Sequence, residues 1–276
     1  MNNATFQKTR GLIVRRLKYA REKLGLTQAE LSSKLGFNDR QTVAAIEAGM
    51  RAISAQELIA AAHVLGVNLD YFADSFQLAG EGSFSWRANT AEPRALASFE
   101  EKAGGWVATY RCLGEQQRAK RLPLQPRLGL VVESSYEEAE EAGEAVCREW
   151  RLGGSPAEKL EAAIQKHLEA PVLWVDAPGS ISGAAFRMQG LDAILINRNE
   201  PAGRRHFDLA HECFHLLTWE QMPPDHTELI DGPSSGSDVR NGLNSSQMHS
   251  LARSLCRGAY LIRIGWAAVG VTCMRG

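Results

Sequence analysis

Within the stretch RRHFDLAHECFHLLTW, His211, Glu212 and His215 stand in the spacing His-Glu-x-x-His. On a helix, positions i and i+4 share a face, so both imidazoles can reach one zinc ion while Glu212 sits beside it to act on water. Zinc lowers the pKa of its water to about 7, and a neighbouring carboxylate completes the nucleophile. His211 and His215 are therefore candidate metal ligands and Glu212 a candidate general base. Phe207, Leu209 or Ala210, Phe214 and Leu217 give the helix an apolar face, and the strand-like AILIN precedes it. That context disfavours the competing reading, surface histidines on an amphipathic helix.

A second set of residues lies near the N-terminus. LIVRRLKYAREKL over 12–24 carries helical apolar spacing, and LTQAELSSKLGF offers Thr27 as N-cap with Glu30 three residues on. After a turn at Phe37-Asn38-Asp39, RQTVAAIEAG runs to Gly49, and SAQELIAAAHVLG is capped by Ser54 with Glu57. Two short helices joined by a tight glycine-containing turn are the helix-turn-helix pattern, which sets its second helix in the major groove. Arg40 and Gln41 at the start of that helix suit base edges.

The elements that must position the histidines come later. Gln77 to about Arg127 is loosely patterned, a linker with at least one helix. An acidic helix begins near Ser134 with the capping-box spacing Ser135-x-x-Glu138, its acids reading as a solvated face. Then come a helix opened by Ser155-Pro156, a strand PVLWVDA, a turn PGSISG, strands AAFRMQ and AILIN joined by Gly190-Leu191-Asp192, and a helix from about Arg204. This predicts a multidomain chain: an all-α helix-turn-helix domain at 1–76, a linker and helical region at 77–133, and an α+β zincin-like domain at 134–238. An aberrant tail follows at 239–276.

Composition bounds the function classes. The chain has 276 residues, 44% hydrophobic and 23% charged, which excludes wholesale disorder and a disulfide-stapled miniprotein. Net charge is −1, so no global basic field advertises nucleic acid, although 10–70 carries nine Lys/Arg against six Asp/Glu. The polar start MNNATFQKTR, cysteines without CxxC pairing and the absence of a long apolar run predict a cytoplasmic protein with no membrane partner. The last 38 residues contain five Arg and no Asp, Glu or Lys.

TQAELSSKLGF and TVAAIEAG, with Ile53 and LIAAAHVLGVN after them, resemble the Cro/C1 (XRE) helix-turn-helix family over about 65 residues. The resemblance implies that Gln28 holds a DNA phosphate and that Arg40, Gln41, Thr42, Ala44 and Ala45 present the recognition face. It implies a double-stranded DNA operator as partner, and a homodimer, because one such unit reads a half-site. AAFRMQGLDAILINRNEPAGRRHFDLAHECFHLL is similar to the ImmA/IrrE family of metallopeptidase-like proteins, a likeness reaching back to about Glu137. It implies Zn2+ on His211 and His215, Glu212 as base, and a repressor protein as substrate or a signal to be sensed. Together the two point to a transcriptional regulator. The alternatives are a zinc endopeptidase whose helix-turn-helix recruits its substrate, and a toxin–antitoxin component.

The ImmA/IrrE resemblance implies a third zinc ligand, a Glu on a later helix, and nothing in the tail reads as that helix. Shifting the codons from 244 on by one base can yield one where the free third bases allow, with the outcomes at 248 and 249 forced: Glu-Gln-Leu-Ala-Asp/Asn-Ala-Phe-Ala-x-Ala-Leu-Leu-Met-Pro. A frame slip between about Glu228 and Leu243 would thus leave Asn244 where the ligand belongs, and predicts weak zinc and little peptidase activity. The rival expectation is a divergent C-terminus with His226 or Glu228 recruited as ligand.

Overall fold

The computed structural model describes residues 3–39, 41–89, 93–116 and 128–229. The chain forms two compact units, one of 1–82 with 101–119 and the other of 83–100 with 120–276.

The first unit is helical. α1 (Asn3–Lys23), α2 (Gln28–Lys34), α3 (Thr42–Glu47), α4 (Ala55–Leu65) and α5 (Asp70–Ala73) surround Leu17, Leu31, Val43, Ile46, Leu65 and Phe72. The capping boxes read from sequence are present. Thr27 and Ser54 each accept from the backbone N–H three residues on, and Glu30 and Glu57 accept from the cap N–H. Gly25, Gly36, Gly49 and Gly66 adopt the left-handed conformation that ends helices, where a Cβ is strained. The Ser32 hydroxyl accepts from Val43 N–H and ties α2 to α3. α1 begins earlier than its apolar spacing indicates, because residues 3–11 carry no stripe that would have marked them as helix.

Arg16 is completely buried in this unit. Its guanidinium donates to Glu81 Oε1 and to the carbonyls of Tyr71, Asp74 and Gln77 at 2.6–2.9 Å. It thereby fixes the chain leaving α5. The second half of α6 (Pro93–Gln116) belongs here too, with Arg111 and Cys112 bonding the Ser75 carbonyl.

The second unit is a mixed α/β structure on a five-stranded sheet of order β2-β4-β3-β1-β5. Its strands are β1 (Gly82–Ala88), β2 (Val172–Val175), β3 (Ile181–Met188), β4 (Leu191–Asn197) and β5 (Thr227–Leu229). β2 runs parallel to β4, β3 antiparallel to β4, and β1 parallel to β5. β3 includes Ile181-Ser182-Gly183, which the sequence reads as a turn, while β1 and β5 fall in stretches that read as linker and loop. α7 (Tyr136–Glu149), α8 (Pro156–His167) and α9 (Ala202–Thr218) complete the unit.

α8 and α9 pack together, and α9 lies on β3 and β4. Leu160, Ile164, Ala185, Ile194, Ile196, Leu209, Phe214 and Leu217 share that core. Every residue of α9 from Asp208 to Thr218 is buried, so this helix carries its polar side chains into the interior. Successive strand residues face opposite ways. Trp86 accordingly stacks on Phe84 and meets Phe99 edge-on, while Arg87 turns to α9. No helix among the described residues is long and apolar enough to cross a membrane.

Candidate metal centre and helix-turn-helix surface

α9 places His211 and His215 one turn apart on a single face, and β5 brings Glu228 to them. His211 Nε2 lies 3.0 Å from Glu228 Oε2, His215 Nε2 lies 3.3 Å from Glu228 Oε1, and the two imidazole nitrogens are 3.2 Å apart. Two donors each 2.0–2.1 Å from a tetrahedral zinc stand about 3.4 Å apart, so these three nearly coincide with three corners of such a site. Among the described residues this is the group of His, Cys, Asp and Glu side chains close enough to hold one ion.

Ionisation favours a cation there. Burial, reinforced by the Arg87 charge, pushes His211 down to about 3 and keeps its imidazole neutral. Burial alone would raise Glu228, but its interactions with His215 and His211 outweigh that and hold the carboxyl well below the usual carboxylate range. A neutral imidazole and an ionised carboxylate are forms that bind metal.

Glu212 lies on the adjoining part of α9, 1% exposed; neither carboxylate oxygen makes a well-aligned hydrogen bond, and the Ala185 backbone N–H is the donor that faces it. Burial pushes its pKa well above the carboxylate range, opposed by the Arg87 charge. Its carboxylate approaches β3 at Gly183. A Cβ there would stand only 2.9 Å from the Leu195 carbonyl on β4 and at ordinary contact, 3.5 Å, from Glu212 Oε1, so the glycine is required by the β3–β4 pairing. Ionised beside a bound cation, Glu212 would be placed to take a proton from a water held between the imidazoles and Glu228.

Three nearby residues had no part in the sequence-derived site. Arg87 on β1 is 3.2 Å from Asp208 Oδ1, Arg204 is 3.3 Å from Asp208 Oδ2, and the Arg87 guanidinium carbon is 5.0 Å from the Phe207 ring centre. Burial raises Asp208 to about 6 against both arginines. An acid three positions before His211 and seven before His215 on an apolar helix was the available signal for Asp208; Arg87, 121 positions away, had none.

Of the two residues weighed as a recruited third ligand, Glu228 reaches the histidines. His226 does not: its Nε2 lies 2.6 Å from Glu100 Oε2. Glu220 is 3.3 Å from Arg187 on another part of the unit. Asp231, Asp238 and Asn244 lie outside the described residues, as does the helix expected from a shifted frame. Cys213, within the motif, is packed into the apolar core.

In the helical unit, Gln28 begins α2, and its amide donates to Glu47 Oε2 at 2.7 Å. Arg21 donates to the same carboxylate, so Glu47 ties α1, α2 and α3 together. Gln41 is exposed at the N-cap of α3, with its backbone N–H on Asp39; Thr42, Ala44 and Ala45 follow on α3, half-buried. Arg40 lies outside the described residues.

Comparison with known proteins bears on this helical unit. No curated protein and no solved structure matches the chain. Residues 17–72 match the helix-turn-helix family model, which identifies α2 and α3 as a helix-turn-helix of XRE type and supports a DNA-binding regulator.

Proposed function

We propose that the chain is a transcriptional regulator whose second unit is an ImmA/IrrE-like zinc peptidase module that cleaves a partner repressor. The observation that carries the peptidase half is the convergence of His211, His215 and Glu228 beside a buried Glu212 that makes no well-aligned hydrogen bond. Zinc held by the first three would supply Lewis acidity toward a water and a substrate carbonyl. Glu212 takes the water's proton and later returns it to the leaving nitrogen. The apolar walls of α9 and β3 keep bulk water away from that carboxylate.

The DNA-reading half rests on the helix-turn-helix match. Gln41, Thr42, Ala44, Ala45 and Arg40 form the reading surface, and Gln28 contacts a phosphate through its backbone N–H at the start of α2. The chain acts as a homodimer on a two-fold operator, since one unit covers a half-site.

Gel shift of duplex DNA by the full chain tests both halves together. Wild type and Glu212→Gln retard DNA equally at low salt, while Arg40→Ala with Gln41→Ala weakens binding. In cells carrying a reporter, Glu212→Gln abolishes the regulatory response. Absence of any retarded complex at low salt would remove the regulator, and an unchanged response in Glu212→Gln would remove proteolysis from it.

A further inference from the structure

A buried guanidinium stands beside the candidate ligands without holding them. Arg87 pairs in register with Glu228 across the parallel β1–β5 ladder, so both side chains leave the same face of the sheet on strands about 4.8 Å apart. From α9, Phe207 supports the guanidinium plane and Asp208 anchors it at 3.2 Å. Two independent constraints, a strand register and a helix contact, thus set Arg87 beside the His211–Glu212 segment of α9.

Its hydrogen bonding is incomplete. Arg87 is 6% exposed; its Nε meets Asp208 Oδ1 as an ion pair at 3.2 Å, while its Nη1 has no acceptor. Asp208 is held on both sides, Oδ1 by Arg87 Nε and Oδ2 by Arg204 Nε at 3.3 Å, and leaves Nη1 open. Both Glu212 oxygens and His211 Nδ1 lack a well-aligned hydrogen bond as well. Buried polar atoms are ordinarily bonded, and a set of unbonded ones around one pocket marks where a polar group is received. The donors on this side belong to a cation, so the group received carries negative charge.

Resting on the zinc-peptidase reading, we propose that Arg87 is a catalytic residue that donates to the carbonyl oxygen of the scissile amide as it becomes an oxyanion. As the water oxygen bonds to the amide carbon, the C=O π pair moves onto the carbonyl oxygen and the water's proton passes to Glu212. Arg87 N–H groups then face the new negative charge. The pair returns, the C–N bond breaks, and the proton on Glu212 goes to the departing nitrogen, leaving a carboxylic acid and an amine. Water is the only co-reactant. Because Phe207 and Asp208 already restrain the guanidinium, the donors need little reorganisation during reaction.

The test measures binding to the zinc-loaded full chain with two probes: phenylphosphonate, a tetrahedral oxyanion, and imidazole, a neutral metal ligand. Arg87→Lys keeps the charge beside Asp208 but loses the planar fork of N–H groups. Calorimetry should show phenylphosphonate weakened at least tenfold in Arg87→Lys and in Arg87→Met. Zinc content and imidazole affinity should stay within twofold of wild type. Phenylphosphonate affinity unchanged in Arg87→Lys would overturn the proposal. So would equal losses for both probes together with zinc, which would make Arg87 a structural residue. A wild-type chain that holds no zinc and binds no imidazole would instead overturn the underlying peptidase reading, and the proposal with it.

Discussion

The two units treat buried charge in opposite ways. In the helical unit, the buried Arg16 has a carboxylate and three carbonyls arranged around it, and Arg21 with Gln28 saturates Glu47. In the α/β unit, Arg87, Asp208, Glu212 and His211 are equally buried but leave donors and acceptors unbonded. Each orphaned group costs stability. Charges that finish their hydrogen bonds internally hold a fold, whereas charges left open are kept for something that binds. A DNA-reading unit needs a rigid frame behind an exposed surface; the hydrolytic site proposed for the second unit would need open groups inside.

The largest effect expected from this contrast is at Arg16. Arg16→Met strands Glu81 and three carbonyls, and should cost about 3–5 kcal/mol in chemical denaturation. A loss below about 1 kcal/mol would mean that the pairing does not hold the unit together.

Asp208 should give the next largest effect, through pH. Its folded pKa of about 6 stands above the value near 3.9 of an unfolded chain, so folding takes up a proton between those values. Stability from this group is greatest below about pH 4 and falls as pH rises through 6. Relative to Asp208→Asn, wild type should lose up to about 3 kcal/mol between pH 4 and 7 in urea titrations of metal-free protein. A difference that does not vary with pH would indicate a satisfied carboxylate and erase the contrast at this position.

Glu212→Gln sharpens the contrast with the smallest change. Replacing a buried carboxylate that lacks a well-aligned hydrogen bond by an amide should leave stability unchanged or raise it by up to about 1 kcal/mol. Thermal melts of the metal-free chain will read it, and a clear loss would show that Glu212 is structural.

Legibility from sequence divides along the same line. Thr27 with Glu30, Ser54 with Glu57 and the helix-ending Gly36 and Gly66 act over a few residues, so the helical unit could be read almost entirely from neighbours. The histidine helix was legible for the same reason: His211, Glu212 and His215 are spaced within two turns. β1 and β5 were not. β5 is three residues in a Pro/Gly/Ser-rich stretch and is a strand only because β1, about 140 positions earlier, pairs with it. That pairing brings both Glu228 and Arg87 to α9. The third ligand was accordingly one of several acids in the sequence, and Arg87 was not a candidate at all.

The central claim is that His211, His215 and Glu228 hold zinc. Metal analysis of the purified full chain and its variants tests it most directly. One zinc per chain is expected in wild type and in Asn244→Ala, with loss in His211→Ala and in Glu228→Ala while far-ultraviolet circular dichroism is unchanged. Zinc absent from wild type, or retained at full stoichiometry in Glu228→Ala, would contradict it.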